Sequence, residues 1–445
     1  MNLTRQHAEE VFDKVLKYST ADETEATISS SSYALTRFAN NMIHQNVAEE
    51  TSSLSVRLVS EGRMARASTN KFDEASIRQL CEAALVLARL QAPEPALLPM
   101  AGPQTYRALD RFYSETAQLT PQTRAETVAQ VVERAEKDGL TAAGVFASGA
   151  SAFGLFNSRG MKAFHEETTS EFSVTMMGDS SSGWAKKTAP YWMELEPLEL
   201  AERAAQKALA SRAPREVEPG RYTVILEPSA MLDLLGFVIF DFSGQAVNEQ
   251  RSCFTGRVGE KVFGDNISLR DDVFHPLQTG APFDGEGIPR QRVQIVDKGE
   301  VKNLVYARQT AHKLGVQPTG HGFPLPNEYA EAPLNIVMDG DRSSVDDMIK
   351  STDRGLLVTR FWYIREVDPY KKILTGMTRD GTFWIEEGQV RQGAKNLRFN
   401  QGLVDMLCQV EMMSPPQRTA GEESFEMVVP AAKIHDFNFA SATKY

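Results

Sequence analysis

Cysteine is scarce in this chain. Cys81, Cys253 and Cys408 are the only three in 445 residues, too few and too scattered for a disulfide framework, so a reducing compartment is expected. Long apolar runs are missing too. The most apolar segment, Met231 to Phe242, has about a dozen residues with Asp233 and Asp241 towards its ends, against the roughly 20 that span a bilayer, so it reads as a buried helix and a membrane role is not expected. The first residues, MNLTRQHAEEVFDKVLKYS, carry Glu9, Glu10 and Asp13 among the apolar positions, which does not suit a secretion signal. A cytoplasmic location is therefore expected. Basic charge is also short: 48 Lys and Arg face 59 Asp and Glu, a net −11 without a long basic block, which argues against nucleic acid as a partner. Neither a GxSxG elbow nor a phosphate loop occurs.

What is present suits a soluble globular protein, with 42% apolar and 24% charged residues and a length that calls for two domains. Ala8, Val11, Phe12, Val15 and Leu16 fall at three-and-four spacing and predict an amphipathic helix from about Thr4 to Tyr18. Short alternating runs follow (ATISSSSYALTRFA, NMIHQNV, SSLSVRLV, RMARAST), then a helix from about Asp73 to Leu90. Pro93, Pro95, Pro99 and Pro103 mark a linker. Beyond it the order recurs: a helix from about Pro121 to Asp138, strands through GVFASGASAFGLFNS, GMKAFHEETT and SEFSVTMM, and a helix from about Pro197 to Ser211. EETSSLSV from Glu49 matches EETTSEFSV from Glu166 with one insertion, through either duplication or chance likeness of polar strands. After the charged, proline-bearing stretch 212–220, strands dominate: YTVILEP, QRVQIVD, VKNLVYA, LNIVMDG, GLLVTRFWYI, TFWIEEGQV and FEMVVPAAKI. Helices are expected at about Ser229 to Ser243, Ser344 to Ser351 and Asn400 to Val410.

The expected fold class is α+β in two domains. Residues 1–215 form an N-terminal α/β domain with helices on an antiparallel sheet and candidate repeats at 1–92 and 118–212, and residues 216–445 form a β-rich C-terminal domain.

Few side chains suggest chemistry. His165-Glu166 starts like a zinc-binding HExxH, but position 169 is Thr169 and the alternation places the pair on a strand, so a solvated strand is expected. His312 and His321 flank a Gly/Pro loop and would need a third ligand, for which Asp339 or Asp341 can be named, in a spacing that matches no metal motif. Cys253 and Cys408 have no histidine close in sequence. Glu422-Glu423 and Glu386-Glu387 read as solvated loop residues. One region stands out. TRFWYIREVDP from Thr359 and TGMTRDGT from Thr375 interleave aromatics, arginines and hydroxyls, and Arg360, Tyr363, Arg365 and Arg379 are candidates either to hold a strand pair in register or to face a peptide substrate.

The stretch GLLVTRFWYIR from Gly355, followed by LTGMTRDGTFWIEEGQV and KNLRFN, resembles the C-terminal signature of the TldD/PmbA (TldD/TldE) peptidase family, on its TldE/PmbA-like side. TRFANNMIHQN, SEGRMARASTN, TGRVGEKV, LVYARQTAHKLGVQPTG and VVPAAKIHDFNF extend the likeness over essentially the whole chain, more weakly between about 95 and 215. In that family, TldD-like subunits carry an HExxxH zinc helix and a later cysteine. Counted back from TGRVGE, the His-Glu and second His positions fall here on Leu235, Gly236 and Phe240, and the cysteine segment falls near Met413-Ser414 rather than at Cys408. The resemblance implies no catalytic residue and no metal or other cofactor held by this chain, with zinc supplied by a TldD-like catalytic partner in a heteromer that encloses extended peptides. Two other readings stay open: a self-sufficient hydrolase using His312, His321 and an acid, and a non-enzymatic homodimer that binds extended peptides.

Overall fold

The structure is a computed structural model and describes residues 3–443. Thr4 accepts the His7 N–H at 3.2 Å and caps helix α1 (Arg5–Tyr18), which buries Ala8, Val11, Phe12 and Val15. Strands β1 (Glu23–Ala39), β2 (Met42–Ser60) and β3 (Arg63–Thr69) follow, and α2 (Glu74–Leu90), capped by Asp73, folds back over them. After the linker and the single turn α3 (Ser114–Ala117) come α4 (Pro121–Lys137), β4 (Thr141–Asn157), β5 (Lys162–Met177), β6 (Ser182–Ala189) and α5 (Pro197–Ala210). A helix, three strands and a helix thus occur twice.

Both sets share one antiparallel sheet, ordered β3-β2-β1-β4-β5-β6. β1 and β4 meet at its middle, from Glu25 opposite Asn157 to Phe38 opposite Gly144. Each helix pair covers its own half, α1 and α2 over Ile28, Leu54, Val56 and Phe156, and α4 and α5 over Phe146, Phe172, Val174 and Met176. Between the halves the strands run on through serines and threonines, so NMIHQNV and SSLSVRLV form one strand rather than two. Cross-strand hydroxyl contacts such as Ser31 with Thr51, at 2.7 Å, satisfy these positions without a core above them.

From residue 220 strands dominate. β7 (Gly220–Leu226) leads into α6 (Pro228–Leu235) and a 3-10 segment, Gly236–Phe242. There follow α7 (Gly244–Asn248), β8 (Leu269–Asp271), β9 (Val293–Asp297), β10 (Glu300–Val301), α8 (Arg308–Leu314), β11 (Ile336–Met338) and α9 (Val345–Lys350). The long pair β12 (Arg354–Asp368) and β13 (Ile373–Glu386) comes next, then β14 (Gln389–Gly393), β15 (Leu397–Gly402) and α10 (Leu403–Cys408). Strands β16 (Val410–Met413), β17 (Gln417–Thr419), β18 (Met427–Val429) and β19 (Ala432–Ala442) complete the chain.

β12, β7, β19, β15 and β13 pair in that order, and β13 pairs back onto β12. The ring closes into a five-stranded barrel. Phe361, Phe399 and Phe437 fill it, with ring centroids 4.8 to 5.8 Å apart. A second sheet runs β10-β9-β8-β11-β18-β17. The fold is α+β, as expected.

Two expectations need correction. The helix placed over Ser229 to Ser243 ends at Leu235 and continues as the tighter 3-10 segment, although Met231, Leu234, Leu235, Val238 and Ile239 are all buried as its pattern required. VKNLVYA contributes only its first residue, Val301, to a strand, because Val305 instead bonds back to Phe242 through its N–H.

Polar contacts tie the first sheet to the rest. Glu25 is buried between Arg57 and Arg66, both at 2.7 Å, and the Arg66 Nε donates to the Leu325 carbonyl at 2.7 Å. Burial works to raise the Glu25 carboxyl, yet the two guanidiniums hold it below the usual carboxylate range. Glu25→Ala leaves those guanidiniums without their anion and is expected to cost about 3–5 kcal/mol, read as a lowered urea midpoint. A loss under about 1 kcal/mol would show that water replaces the carboxylate there.

Candidate functional site

The four residues singled out on β12 and β13 come together at one place. Arg360 and Arg379 are direct cross-strand partners, an arrangement of like charges that needs an anion between them. Asp380 supplies it: it accepts from the Arg360 Nε at 3.0 Å and again from the Arg360 Nη2, and the Arg379 Nε lies 3.4 Å away. Arg360 stacks over Trp184 of β6 (4.8 Å to the ring centroid) and Arg379 over Trp362 (4.7 Å). Buried Arg360 therefore holds the strand pair and the first sheet together. Tyr363, Arg365 and Arg379 are the three that reach solvent.

The register of β12 on β13 slips between Trp362 and Arg365. At this bulge Tyr363 takes a left-handed backbone (φ +56°) and turns outward, 52% exposed. Its N–H donates to the Glu423 Oε1 at 2.6 Å, and the Arg365 guanidinium, stacked 4.3 Å from the Tyr363 ring centroid, lies 3.8 Å from the Glu423 Oε2. Glu422 is 3.8 Å from Arg360 and 3.5 Å from Lys186. The expectation of merely solvated loop glutamates is corrected: both belong to an ion-paired loop.

That loop covers α6. Gly421 packs against the Asp233 carboxylate, which accepts the Glu423 N–H at 3.1 Å. Asp233 is fully buried, and its second oxygen has no hydrogen-bond partner. Burial pushes this carboxyl up to about 7; the Glu423 and Glu422 N–H groups oppose the rise and the nearby Glu423 and Glu422 charges add to it. An acid inside an apolar run was the sequence signal for this group, although Asp233 was read there only as a polar end. Gly236, Phe237, Phe240 and the loop Glu422–Phe425 line a cleft of about 430 Å³. Phe240 stands 45% exposed at its mouth, its ring centroid 6.1 Å from that of Tyr329.

The other candidates do not join this site. His165 is on β5 but buried, 3.6 Å from Glu167, so the solvated reading of that strand fails for this residue. His312 is exposed on α8, whereas His321 is buried against Asp271 at 3.0 Å and Thr319 at 2.9 Å. Asp339 pairs with Arg270 instead. The proposed ligand set of His312, His321 and an acid is not assembled. Cys81 and Cys253 are buried, and the Cys408 thiol donates to the Val262 carbonyl at 3.3 Å.

A helix-covered first sheet beside a closed barrel, with an arginine-rich bulge over a broken apolar helix, is an architecture shared with known proteins. Family models match residues 24–88 as PmbA/TldA metallopeptidase domain 1, residues 115–212 as the central domain and residues 219–441 as the C-terminal domain. The chain belongs to the PmbA/TldD metallopeptidase family. It is 26% identical to an uncharacterized protein of Methanocaldococcus jannaschii over 66% of this chain and 69% of that one. It is 24% identical to the metalloprotease PmbA of Escherichia coli O157:H7 over 80% and 79%. The crystal structure of TldE from Thermococcus kodakarensis superposes with a TM-score of 0.89 at 21% identity, covering 97% of this chain and 99% of that one.

Zinc needs side-chain nitrogen, sulfur or oxygen ligands around an open position. At the positions the resemblance points to, Leu235 is sealed in the core, Gly236 has no side chain and Phe240 offers a ring. A Cβ at Gly236 would lie 2.0 Å from the Ser424 Oγ and 2.6 Å from its Cβ. These residues do not fit the metal. No group of three His, Cys, Asp or Glu able to hold an ion occurs among the described residues.

The raised carboxyl has a pH consequence. A folded value near 7 against an ordinary 3.8 means that the Asp233 contribution is fully present below about pH 4 and is lost as pH rises towards about 7. Relative to the parent, Asp233→Asn should gain up to about 4 kcal/mol across that interval and then level off, measured by urea unfolding at a series of pH values. A difference that stays flat with pH would place the carboxyl in contact with water.

Proposed function

We propose that this chain is the TldE/PmbA-like, non-catalytic subunit of a TldD/TldE-type zinc peptidase that cleaves unstructured or leader peptides. A TldD-like partner supplies the zinc and the catalytic glutamate, and this chain closes the chamber around an extended substrate. The observation that carries the reading is the contact of Gly236 with Ser424. The loop after β17 fills the volume that a glutamate at 236 would occupy, so this subunit has given that space to a structural contact.

The rest of the site suits a wall of such a chamber. Exposed Tyr363 and Arg365 hold Glu423 of the loop that lines the cleft with Phe237 and Phe240, and together with exposed Arg379 they offer donors to main-chain carbonyls near that apolar surface. An extended peptide fixed through its main chain is bound with broad sequence tolerance. No helix among the described residues is long and apolar enough to cross a membrane.

Purified alone, the chain is expected to hold no stoichiometric zinc by elemental analysis and to leave an unstructured peptide intact. Addition of a TldD-like protein should produce cleavage that a chelator abolishes. One equivalent of zinc in the lone chain, or cleavage without a partner, would overturn the proposal.

A further inference from the structure

Glu423 is held as a bound ligand would be held. Its carboxylate meets one main-chain donor, the Tyr363 N–H, and one cation, Arg365. Both belong to the bulge of β12, whereas Glu423 comes from the separate loop after β17. The receptor half is exposed, and the loop whose carboxylate it holds lines a cleft together with Phe237 and Phe240. The bulge is what creates it: the left-handed residue directs a main-chain N–H out of the ladder, and a guanidinium stacked on the neighbouring ring stands beside it.

We propose that the Tyr363 N–H and Arg365 form a carboxylate receptor for a peptide lying in the cleft, and that Glu423 occupies it as a built-in mimic until a peptide carboxylate displaces it. The inference rests on the reading that this cleft faces peptides. Exchange of one carboxylate for another conserves the hydrogen bond and the ion pair, so displacement costs little beyond moving the loop. Loop movement is itself local: Glu423 gives up the Asp233 contact through its own N–H, and Glu422 keeps its long ion pairs to Arg360 and Lys186. The aromatic walls beside the receptor suit an apolar residue next to the carboxylate. The ligand is therefore a peptide carboxylate with an apolar neighbour, from either a free C-terminus or an acidic side chain.

The test is fluorescence anisotropy with a labelled unstructured peptide ending in phenylalanine, as free acid and as C-terminal amide, on the full-length chain without partner or metal. Glu423→Gln, which keeps the shape but not the charge of the mimic, should tighten binding of the free acid about tenfold and leave the amide unchanged. Adding Arg365→Ala should remove the gain, with thermal melting confirming that both variants stay folded. An amidated peptide with a penultimate glutamate that shows the same gain would support the receptor and assign it to side-chain carboxylates. Equal binding of acid and amide by Glu423→Gln, or a gain that survives Arg365→Ala, would overturn the receptor. Because neither zinc nor a partner enters the measurement, its failure leaves the subunit role standing, and failure of that role leaves this binding measurable.

Discussion

Closure of the five-stranded ring is the constraint on which the site depends. A barrel this small cannot close with straight, regularly paired strands, and the strain is taken up where β12 meets β13. Their register shifts three times. The closure sets Arg360 opposite Arg379, and Asp380 with its left-handed backbone (φ +51°) brings a carboxylate between them. The same closure turns Tyr363 out of the ladder. Structure and surface chemistry at this bulge therefore have one origin: the seam that completes the barrel also turns a main-chain donor out of the ladder and sets beside it a guanidinium, which donates to the Ile364 carbonyl at 2.6 Å as well as facing Glu423.

The first sheet and the barrel meet at that seam. Trp184 lies on the last strand of the first sheet and packs its ring on Arg360. Lys186, two residues on, donates to the Gly421 carbonyl at 3.3 Å and approaches Glu422. The loop after β17 is thus held by β6, by the bulge and by α6 together. Its glutamates balance cations from both domains, so charge neutrality of the loop depends on correct domain packing.

Much of the architecture was legible in the sequence because it rests on periodicity. The four long helices of the first domain follow from apolar spacing and from Thr4, Asp73, Thr120 and Pro197 at their starts. The arginine-aromatic cluster was legible as composition. Its geometry was not, since which of the four arginine and tyrosine side chains is buried depends on a register slip that no local pattern encodes. Asp233 and the loop Glu422–Glu423 are separated by nearly half the chain, and a carboxylate that looks like a polar end of an apolar run becomes a buried acid only when that loop closes over it. His321 was read as a candidate ligand for the same reason: its partner Asp271 lies 50 residues away on β8.

The three positions to which the family resemblance points for zinc ligands differ in what a ligand side chain would meet there. Phe240 is at the surface and any side chain fits there. Leu235 lies in the main core, where an imidazole would bury ring nitrogens without partners, at a cost of a few kcal/mol. Gly236 is constrained from outside the helix, by Ser424, so a glutamate there demands that the loop withdraw. Withdrawal would expose Asp233 and release Glu423 from the bulge. The side chains at these positions and the closed loop are therefore structurally coupled, and placing three ligand side chains there demands that the loop be rebuilt as well.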